Sequence, residues 1–481
     1  MVVALIPRVV AMAAFRPALL TADSFLYMRA ATTGQLGVIR PNGYPMFLSL
    51  FARWPHALTI VTGLQHLMGL AIAVIVYALL RYWGLPGWGA TLAALPILLD
   101  PREIALESYI LPDTLFCLVI VAAVALLLTR STPRPWQCVL AGLLLAYAAL
   151  LRGNGILLVL AAAVALLARR IGWRALLAAA AAFAIPVAAY VLQFHAEHGQ
   201  YNLTRSDGIF LWSRTTSFAN CAIIRPPADL RPLCPNLETP AHVPEAEPSW
   251  SVSNLLIQAS PADYLWARDA WWRHDAKPGF TARNNQLGLD FALSAIKAQP
   301  VGYLRSAAQD VALIFVGTDR PQDQFTMNFT PAARIRALPG YYERYLHGYA
   351  DTTENTHAVY PYATWLFGYE QPVWFPGLLF LAVVLTGLAG VLADWRRLGG
   401  PAFLPWALAV VIIVSPALLT QTLYRYAIAA VPLACLAAGL GVLRLRRRGT
   451  GSGGSSAPAR SAQPGDAEMA KPSAPAPAVL P

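Results

Sequence analysis

This sequence has few charged residues. Of its 481 residues only 13% are charged, whereas 57% are hydrophobic. A soluble domain carries about 25% charged residues, so the deficit argues for a protein that resides in a lipid bilayer. Lysine is nearly absent, since the chain holds only Lys277, Lys297 and Lys471. Almost all of the positive charge behind the net charge of +11 is therefore arginine.

The sequence also lacks a basic cluster of the kind that binds nucleic acid. Its arginines are scattered between apolar runs and do not gather on one face, so we expect no nucleic-acid partner. Membrane topology explains the scattered arginines better. The abundance of alanine, leucine and proline, with arginine in place of lysine, indicates a GC-rich bacterial genome.

Several motifs of soluble enzymes are missing. The chain has no glycine loop that would cradle a phosphate, no HExxH and no nucleophile elbow, so a nucleotide-dependent enzyme is unsupported. Only five cysteines occur, and Cys117, Cys138 and Cys435 lie in apolar runs as small core residues. Cys221 and Cys234 lie in the one long polar region, where their spacing suits a disulfide if that region is outside the cytoplasm.

Long apolar runs are what the sequence does have. A spanning helix needs about 20 apolar residues, and ten runs are candidates: 2–20, 57–80, 87–99, 112–129, 136–151, 154–169, 174–194, 373–394, 402–420 and 424–444. The first run is weak because Arg8 and Arg16 interrupt it, which leaves the completeness of the N-terminus open. A signal peptide is disfavoured there, since no good cleavage site follows.

Arginines follow every even-numbered run, and cytoplasmic loops are enriched in such charges. We therefore expect a multi-pass protein of the bacterial plasma membrane with both termini in the cytoplasm. The expected organisation is an N-terminal membrane module (1–194), an extracytoplasmic mixed domain (195–372), C-terminal membrane helices (373–444) and a disordered cytoplasmic tail (445–481). Outer loops are expected at 21–56 and 100–111, and helices of the outer domain at 261–274, 284–298 and 301–317.

Acidic residues in the two early outer loops are the first candidates for chemistry. Asp23 follows the first run and is either a helix N-cap or a general base at a membrane-proximal cavity. The second loop offers four acids within fourteen residues: Asp100, Glu103, Glu107 and Asp113. They form either a solvated edge or a site for a polar substrate or a divalent cation. Their spacing is not a specific metal signature.

Two arginines at the ends of spans are the second set of candidates. A charged residue at the centre of a bilayer costs about 2.5–3.5 kcal/mol or more and usually faces a partner. Arg152 stands between two apolar runs, and Arg425 stands between Tyr424 and Tyr426. Each could instead lie at the interface, Arg152 as a snorkelling side chain and Arg425 as an aromatic-flanked anchor. Guanidinium groups suit phosphate, and carboxylates suit sugar hydroxyls and proton abstraction. A lipid-anchored sugar phosphate would need both.

The chain resembles the GT-C membrane glycosyltransferases, and most of all the bacterial relatives of the protein O-mannosyltransferase and aminoarabinose transferase group. The resemblance is carried by ADSFLYMRAA, RPNGYPMFL, LQHLMGLAIAVIVYALLR, LLDPREIALESYILPDTLF, LLRGNGILL, FALSAIKAQPVGYLRSAAQD and LYRYAIAAVPL, in this order over most of residues 19–440. It implies an all-α polytopic GT-C fold of about ten transmembrane helices. Asparagine stands at position 42, where the family often has a second proline.

The resemblance also implies an activity. Such enzymes move a sugar from a polyprenyl phosphate, here mannose or a pentose, to a hydroxyl of a protein, glycan or lipid acceptor on the outer face. Asp23 matches the catalytic base. The implied substrate-binding residues are Arg40, Tyr44, Asp100, Glu107, Asp113, Arg152, Tyr424 and Arg425. No nucleotide or redox cofactor is implied, and a divalent metal stays open. The alternatives are a flippase or transporter of lipid-linked sugars and a catalytically inactive envelope-assembly protein.

Overall fold

The computed structural model describes residues 2–130, 132–235, 265–266, 270–274, 279–316, 329, 340–350, 356–370, 372–373, 375–394, 400–420 and 424–451. Helices dominate this part of the chain. The N-terminal half contains α1 (Val2–Ala14), α2 (Ala22–Thr33), α3 (Gly43–Ser49), α4 (Ala57–Tyr82), α5 (Gly87–Leu99), α6 (Pro101–Ser108), α7 (Asp113–Leu128), α8 (Pro135–Leu151), α9 (Leu158–Ala168) and α10 (Trp173–His198). A 3-10 turn, Gly153–Leu157, separates α8 from α9.

The later helices fall into two groups. Those of the expected outer domain are α11 (Asp207–Thr215), α12 (Cys221–Ile224), α13 (Trp271–His274), α14 (Ala282–Ala298), α15 (Pro300–Val316), α16 (Gly340–Tyr349) and α17 (Tyr362–Glu370), with a 3-10 turn at Arg231–Leu233. The C-terminal group is α18 (Gly377–Ala393), α19 (Phe403–Leu419), α20 (Tyr424–Ile428) and α21 (Val431–Gly451). Half of the expected helix at 261–274 lies outside the described residues, and within the other half Trp271–His274 is helical.

Two short strands join the beginning of the chain to a distant segment. β1 (Phe15–Arg16) pairs antiparallel with β2 (His357–Ala358). The first apolar run was expected to be helical over 2–20, but α1 ends at Ala14 because the residue before Pro17 is disfavoured in the α conformation. In the described residues of 195–372, β2 is the only strand, and the rest of the regular structure is helical.

The helical bundle has an apolar surface that suits lipid. By length and composition α4 and α10 could each cross a membrane, and they are accompanied by shorter apolar helices of 10–17 residues. Large apolar side chains remain exposed on these helices, for example Ile185 at 67% and Leu378 at 63%. An exposed apolar surface of this extent marks a membrane or a protein contact. The expected number of ten spans stays a prediction.

Basic side chains gather at one end of the bundle. Arg169 donates to the carbonyl oxygen of Leu127 at 2.6 Å, and Arg447 donates to that of Trp83 at 3.3 Å. These carbonyls belong to the C-terminal ends of α7 and α4, where unpaired carbonyls and the helix dipole favour cations. The helix α21 continues through the arginines to Gly451, so the expected tail begins as helix, and residues 452–481 lie outside the described part.

A second apolar core lies apart from the bundle. It contains Ile209, Phe210, Trp212, Ala219, Leu230, Leu233, Leu265, Ala270, Trp272, Phe291 and Ala295, and is called the second core below. The helices α11 and α14 cross here at close range: a Cβ on Gly208 would lie 1.9 Å from the carbonyl oxygen of Asn285. The amide side chain of Asn285 accepts a hydrogen bond from the Gly208 nitrogen at 2.7 Å. Cys221 and Cys234 are joined by a disulfide next to this core.

Candidate active site

A buried carboxylate is the centre of the candidate site. Asp113 occupies the first turn of α7, directly after Pro112, and its side chain is fully buried. Arg152 donates to one carboxylate oxygen at 2.6 Å, and Arg425 donates to the other at 2.9 Å. The two arginines come from the break after α8 and from α20, so one carboxylate joins three distant parts of the chain.

Asp23 lies beside this centre and is partly open to solvent. It occupies the first turn of α2, and its side chain is 20% exposed. Its Oδ2 atom lies 3.4 Å from an Nη atom of Arg40 and 3.9 Å from an Nη atom of Arg425. Burial, the largest single effect, lowers the pKa of Arg40, but the neighbouring groups together, led by the carboxylate of Asp23, raise the pKa overall. Arg40 therefore stays charged, and Arg425 connects the two carboxylates.

Aromatic rings close the cluster. The guanidinium carbon of Arg152 lies 4.4 Å from the centroid of the Tyr426 ring, and that of Arg425 lies 5.7 Å from it. Cations over a tyrosine face are stabilised by about 0.5–2 kcal/mol. Tyr27 is buried one helical turn after Asp23, and burial, followed by the charge of Asp23, raises the pKa of its hydroxyl. Tyr27 is therefore a neutral hydroxyl beside the acid.

The arrangement is suited to an anion. Three guanidiniums, those of Arg40, Arg152 and Arg425, face the two carboxylates of Asp23 and Asp113, which leaves one net positive charge. The cluster, called the Asp23–Asp113 cluster below, stays partly accessible through Asp23 and Arg40. Arginines whose direction is fixed by a buried carboxylate are preorganised donors for a phosphate or another oxyanion.

Glu107 lies outside this cluster, although the sequence placed it among the substrate ligands. Its fully buried carboxylate accepts two hydrogen bonds from Arg8, at 2.7 and 2.8 Å, and lies 2.7 Å from the Nδ1 atom of His66. Arg8 also donates to the carbonyls of Ile97 and Leu98 at the end of α5. Glu107 therefore links α1, α4 and α6, and it explains why an arginine is tolerated in the first apolar run.

Asp100 and Tyr44 also have structural partners. Asp100 is the N-cap of α6 and accepts from the backbone nitrogen of Arg102 at 2.9 Å. Tyr44 is fully buried, and its hydroxyl donates to Gln65 at 2.7 Å instead of lining an open mouth. The side chain of Tyr424 lies outside the described residues. Of the predicted site residues, Asp23, Arg40, Asp113, Arg152 and Arg425 thus come together.

Sequence reasoning did not assign a role to two rings that contact the cluster. Tyr426 was noticed only as a flank of Arg425, and Phe210 was not considered. The guanidinium carbon of Arg40 lies 5.1 Å from the centroid of the Phe210 ring. Nothing near Phe210 in the sequence signals this contact, since Arg40 lies 170 positions away. Among the described residues, no group of three or more His, Cys, Asp or Glu side chains could hold a metal ion.

No family model matches this chain, and no curated protein matches it. Three chains of solved structures do, two of ArnT and one of AglB. The chain is similar to ArnT and to AglB. ArnT from Cupriavidus metallidurans, bound to undecaprenyl phosphate, gives a TM-score of 0.36 at 15% identity, over 94% of this chain and 78% of that one. The archaeal oligosaccharyltransferase AglB from Archaeoglobus fulgidus, in complex with an inhibitory peptide and a dolichol-phosphate, gives 0.39 at 14% identity, over 96% and 52%.

The chain spans about half the length of the AglB chain. The resemblance expected from the sequence motifs thus has structural neighbours of the expected kind, and the two structures described above each contain a polyprenyl phosphate. At TM-scores below 0.5 these likenesses assign neither a substrate nor a reaction to this chain. The case for function rests on the residues of the Asp23–Asp113 cluster.

Proposed function

We propose that this protein is an integral-membrane glycosyltransferase that moves a sugar from a polyprenyl phosphate to an acceptor hydroxyl on the extracytoplasmic face. One observation carries the proposal: Asp113 holds both Arg152 and Arg425, and Arg425 lies 3.9 Å from the partly exposed carboxylate of Asp23. The cluster joins an oxyanion site to a proton acceptor, which is what this transfer needs. The apolar surface of the bundle and the low charge content support a membrane location.

The proposed reaction is a single displacement. Asp23 takes the proton of the acceptor hydroxyl while the oxygen forms a bond to the anomeric carbon. The bond from that carbon to the phosphate oxygen breaks, and its electron pair leaves with the polyprenyl phosphate. Attack opposite the leaving group inverts the anomeric centre. The phosphate leaves as an ionised group, so no general acid is required.

The arginines act on the charge that grows on the leaving phosphate. Arg425 is 6% exposed and Arg152 is 12% exposed, so both donors operate in a water-poor surrounding where hydrogen bonds to an oxyanion are strong. Asp113 is already bonded to both arginines, and we assign it to positioning them instead of to binding substrate. A catalytically inactive assembly protein would have no need of this convergence.

Transfer from a radiolabelled polyprenyl-phosphate sugar tests the proposal. The purified protein is supplied with mannosyl and pentosyl donors and with a panel of protein, glycan and lipid acceptors, with and without a chelator. Arg425→Gln should raise the KM for the donor and lower kcat by about 100-fold or more, the scale of one lost oxyanion donor. Arg444→Gln is the matched control, since Arg444 pairs with Asp394 at 2.6 Å at the basic end of α21.

Wild-type protein that binds the labelled lipid but transfers no sugar to any acceptor would contradict the proposal and favour a transporter. Equal kcat and donor KM for Arg425→Gln and Arg444→Gln would contradict the role of Arg425 in stabilising the leaving phosphate. Activity that the chelator abolishes would show that a divalent metal takes part.

A further inference from the structure

The loop that carries Arg40 is held by the elements of the second core. The backbone nitrogen of Arg205 donates to the carbonyl of Val38 at 2.7 Å, and the hydroxyl of Ser206 donates to that of Ile39 at 3.0 Å. The side chain of Ile39 packs against the second core. The position of Arg40 therefore depends on α11 and the residues that precede it.

The guanidinium of Arg40 contacts both an acid and a ring. Asp23 lies 3.4 Å from an Nη atom, a long distance for a charge-assisted hydrogen bond. The guanidinium carbon also lies over the face of Phe210, 5.1 Å from the ring centroid. The Nε atom of Arg40 is buried and has no hydrogen-bond partner within the described structure. Because the ion pair with Asp23 is long, the contact with the ring face contributes strongly to the position of the guanidinium.

Phe210 itself is rigidly placed. It is buried, and its ring centroid lies 6.5 Å from that of Trp266 and 6.2 Å from that of Phe280. The close crossing of α11 and α14 at Gly208 prevents the helix that carries Phe210 from shifting. A ring in a packed aromatic core loses little conformational entropy when it holds a cation, so it is an effective support.

We infer that Phe210 is a positioning residue, which sets Arg40 against Asp23 and so links the second core to the acid of the cluster. The inference rests on the proposed function in one respect, the role of Asp23 in transfer. Through this contact, the part of turnover that depends on Asp23 becomes sensitive to the position of α11. The contact itself is independent of what the protein transfers.

A comparison of three variants tests this role. Phe210→Leu keeps an apolar side chain but removes the ring face, and Phe210→Tyr keeps the face. Trp271→Leu removes a ring that packs against the second core and whose ring contact in the described structure is with Trp212. We expect Phe210→Leu to lower kcat by about tenfold, the scale of a desolvated cation–π contact, with the donor KM within about twofold. Phe210→Tyr and Trp271→Leu should retain most of kcat.

A double-mutant cycle with Arg40→Gln separates positioning from loss of packing. If the ring acts through Arg40, Phe210→Leu lowers kcat in the wild-type background and has little further effect in Arg40→Gln. Equal losses in both backgrounds, or equal losses for the leucine and tyrosine variants, would overturn the inference.

The same cycle on melting temperatures needs no substrate. The losses of the two single variants should sum to more than the loss of the double variant, because both remove one contact. If the wild-type protein transfers no sugar, the proposed function fails while this cycle still decides the contact. Strictly additive melting losses would then overturn the inference.

Discussion

Asp113→Asn is the most informative single perturbation of the candidate site. The substitution removes the negative charge that Arg152 and Arg425 share, and it places an amide nitrogen, a donor, against guanidinium donors. Removing one partner of a buried ion pair costs about 3–5 kcal/mol, because an uncompensated charge stays buried. Here the side chain of Asp113 is fully buried, with bonds of 2.6 and 2.9 Å, which argues for a large effect.

Two features of the structure reduce the cost. Arg152 retains 12% exposure, and Arg425 keeps a second carboxylate within reach, since Asp23 lies 3.9 Å away. We therefore expect a loss near the lower limit, about 3 kcal/mol. One kcal/mol shifts Tm by about 2–4 °C in a chain of 150–250 residues and by less in a longer one, so the loss corresponds here to a fall of roughly 3 °C.

Thermal unfolding in detergent, followed by tryptophan fluorescence, measures this loss, and the donor KM measures the loss of arginine positioning. Asp394→Asn is the matched control, because Asp394 pairs with Arg444 at 2.6 Å while Arg444 is 33% exposed. A partly exposed pair is worth about 0–1 kcal/mol. Equal shifts in Tm for the two variants, with an unchanged donor KM, would refute the reasoning that Asp113 organises the site.

Two further substitutions test the packing around the site. Gly69→Ala should lower Tm by several degrees, because its Cβ would lie 1.7 Å from a carboxylate oxygen of Glu107 and would displace that buried ion pair. The control is Gly63→Ala in the same helix, whose Cβ meets nothing closer than 3.4 Å and which should leave Tm unchanged or higher. Equal unfolding curves for the two variants would contradict this account. Cys221→Ser should cost about 3 kcal/mol by the entropy of loop closure, and dithiothreitol should then cause no further loss in the unfolding experiment. A reductant effect of the same size in the variant would show that the bond to Cys234 is not the cause.

The apolar runs of the sequence locate most helices of the bundle. The run 57–80 became α4 (Ala57–Tyr82), and 136–151 became α8 (Pro135–Leu151), because a long apolar stretch with polar ends specifies a helix through local information alone. The outer helices predicted at 284–298 and 301–317 are found at Ala282–Ala298 and Pro300–Val316.

Long-range pairings could not be predicted in the same way. The pairing of β1 with β2, and the ion pairs that Glu107 makes with Arg8 and His66, depend on how distant segments pack. Sequence analysis therefore assigned Glu107 to substrate binding, whereas its carboxylate is already paired with Arg8 and His66 inside the bundle. Asp113 was expected near the two arginines, because topology put all three at one end of their spans. Its direct bonds to both arginines were not expected.

Turnover of Asp23→Asn tests the central claim most directly. In the transfer assay with a labelled polyprenyl-phosphate sugar, this variant is compared with wild type and with Asp290→Asn, which changes an exposed aspartate on α14. A general base contributes about 10²–10⁴-fold, so kcat should fall by about 100-fold or more in Asp23→Asn and stay unchanged in Asp290→Asn. Turnover of Asp23→Asn within about twofold of wild type would contradict the account, because no general-base contribution of that scale could then belong to Asp23.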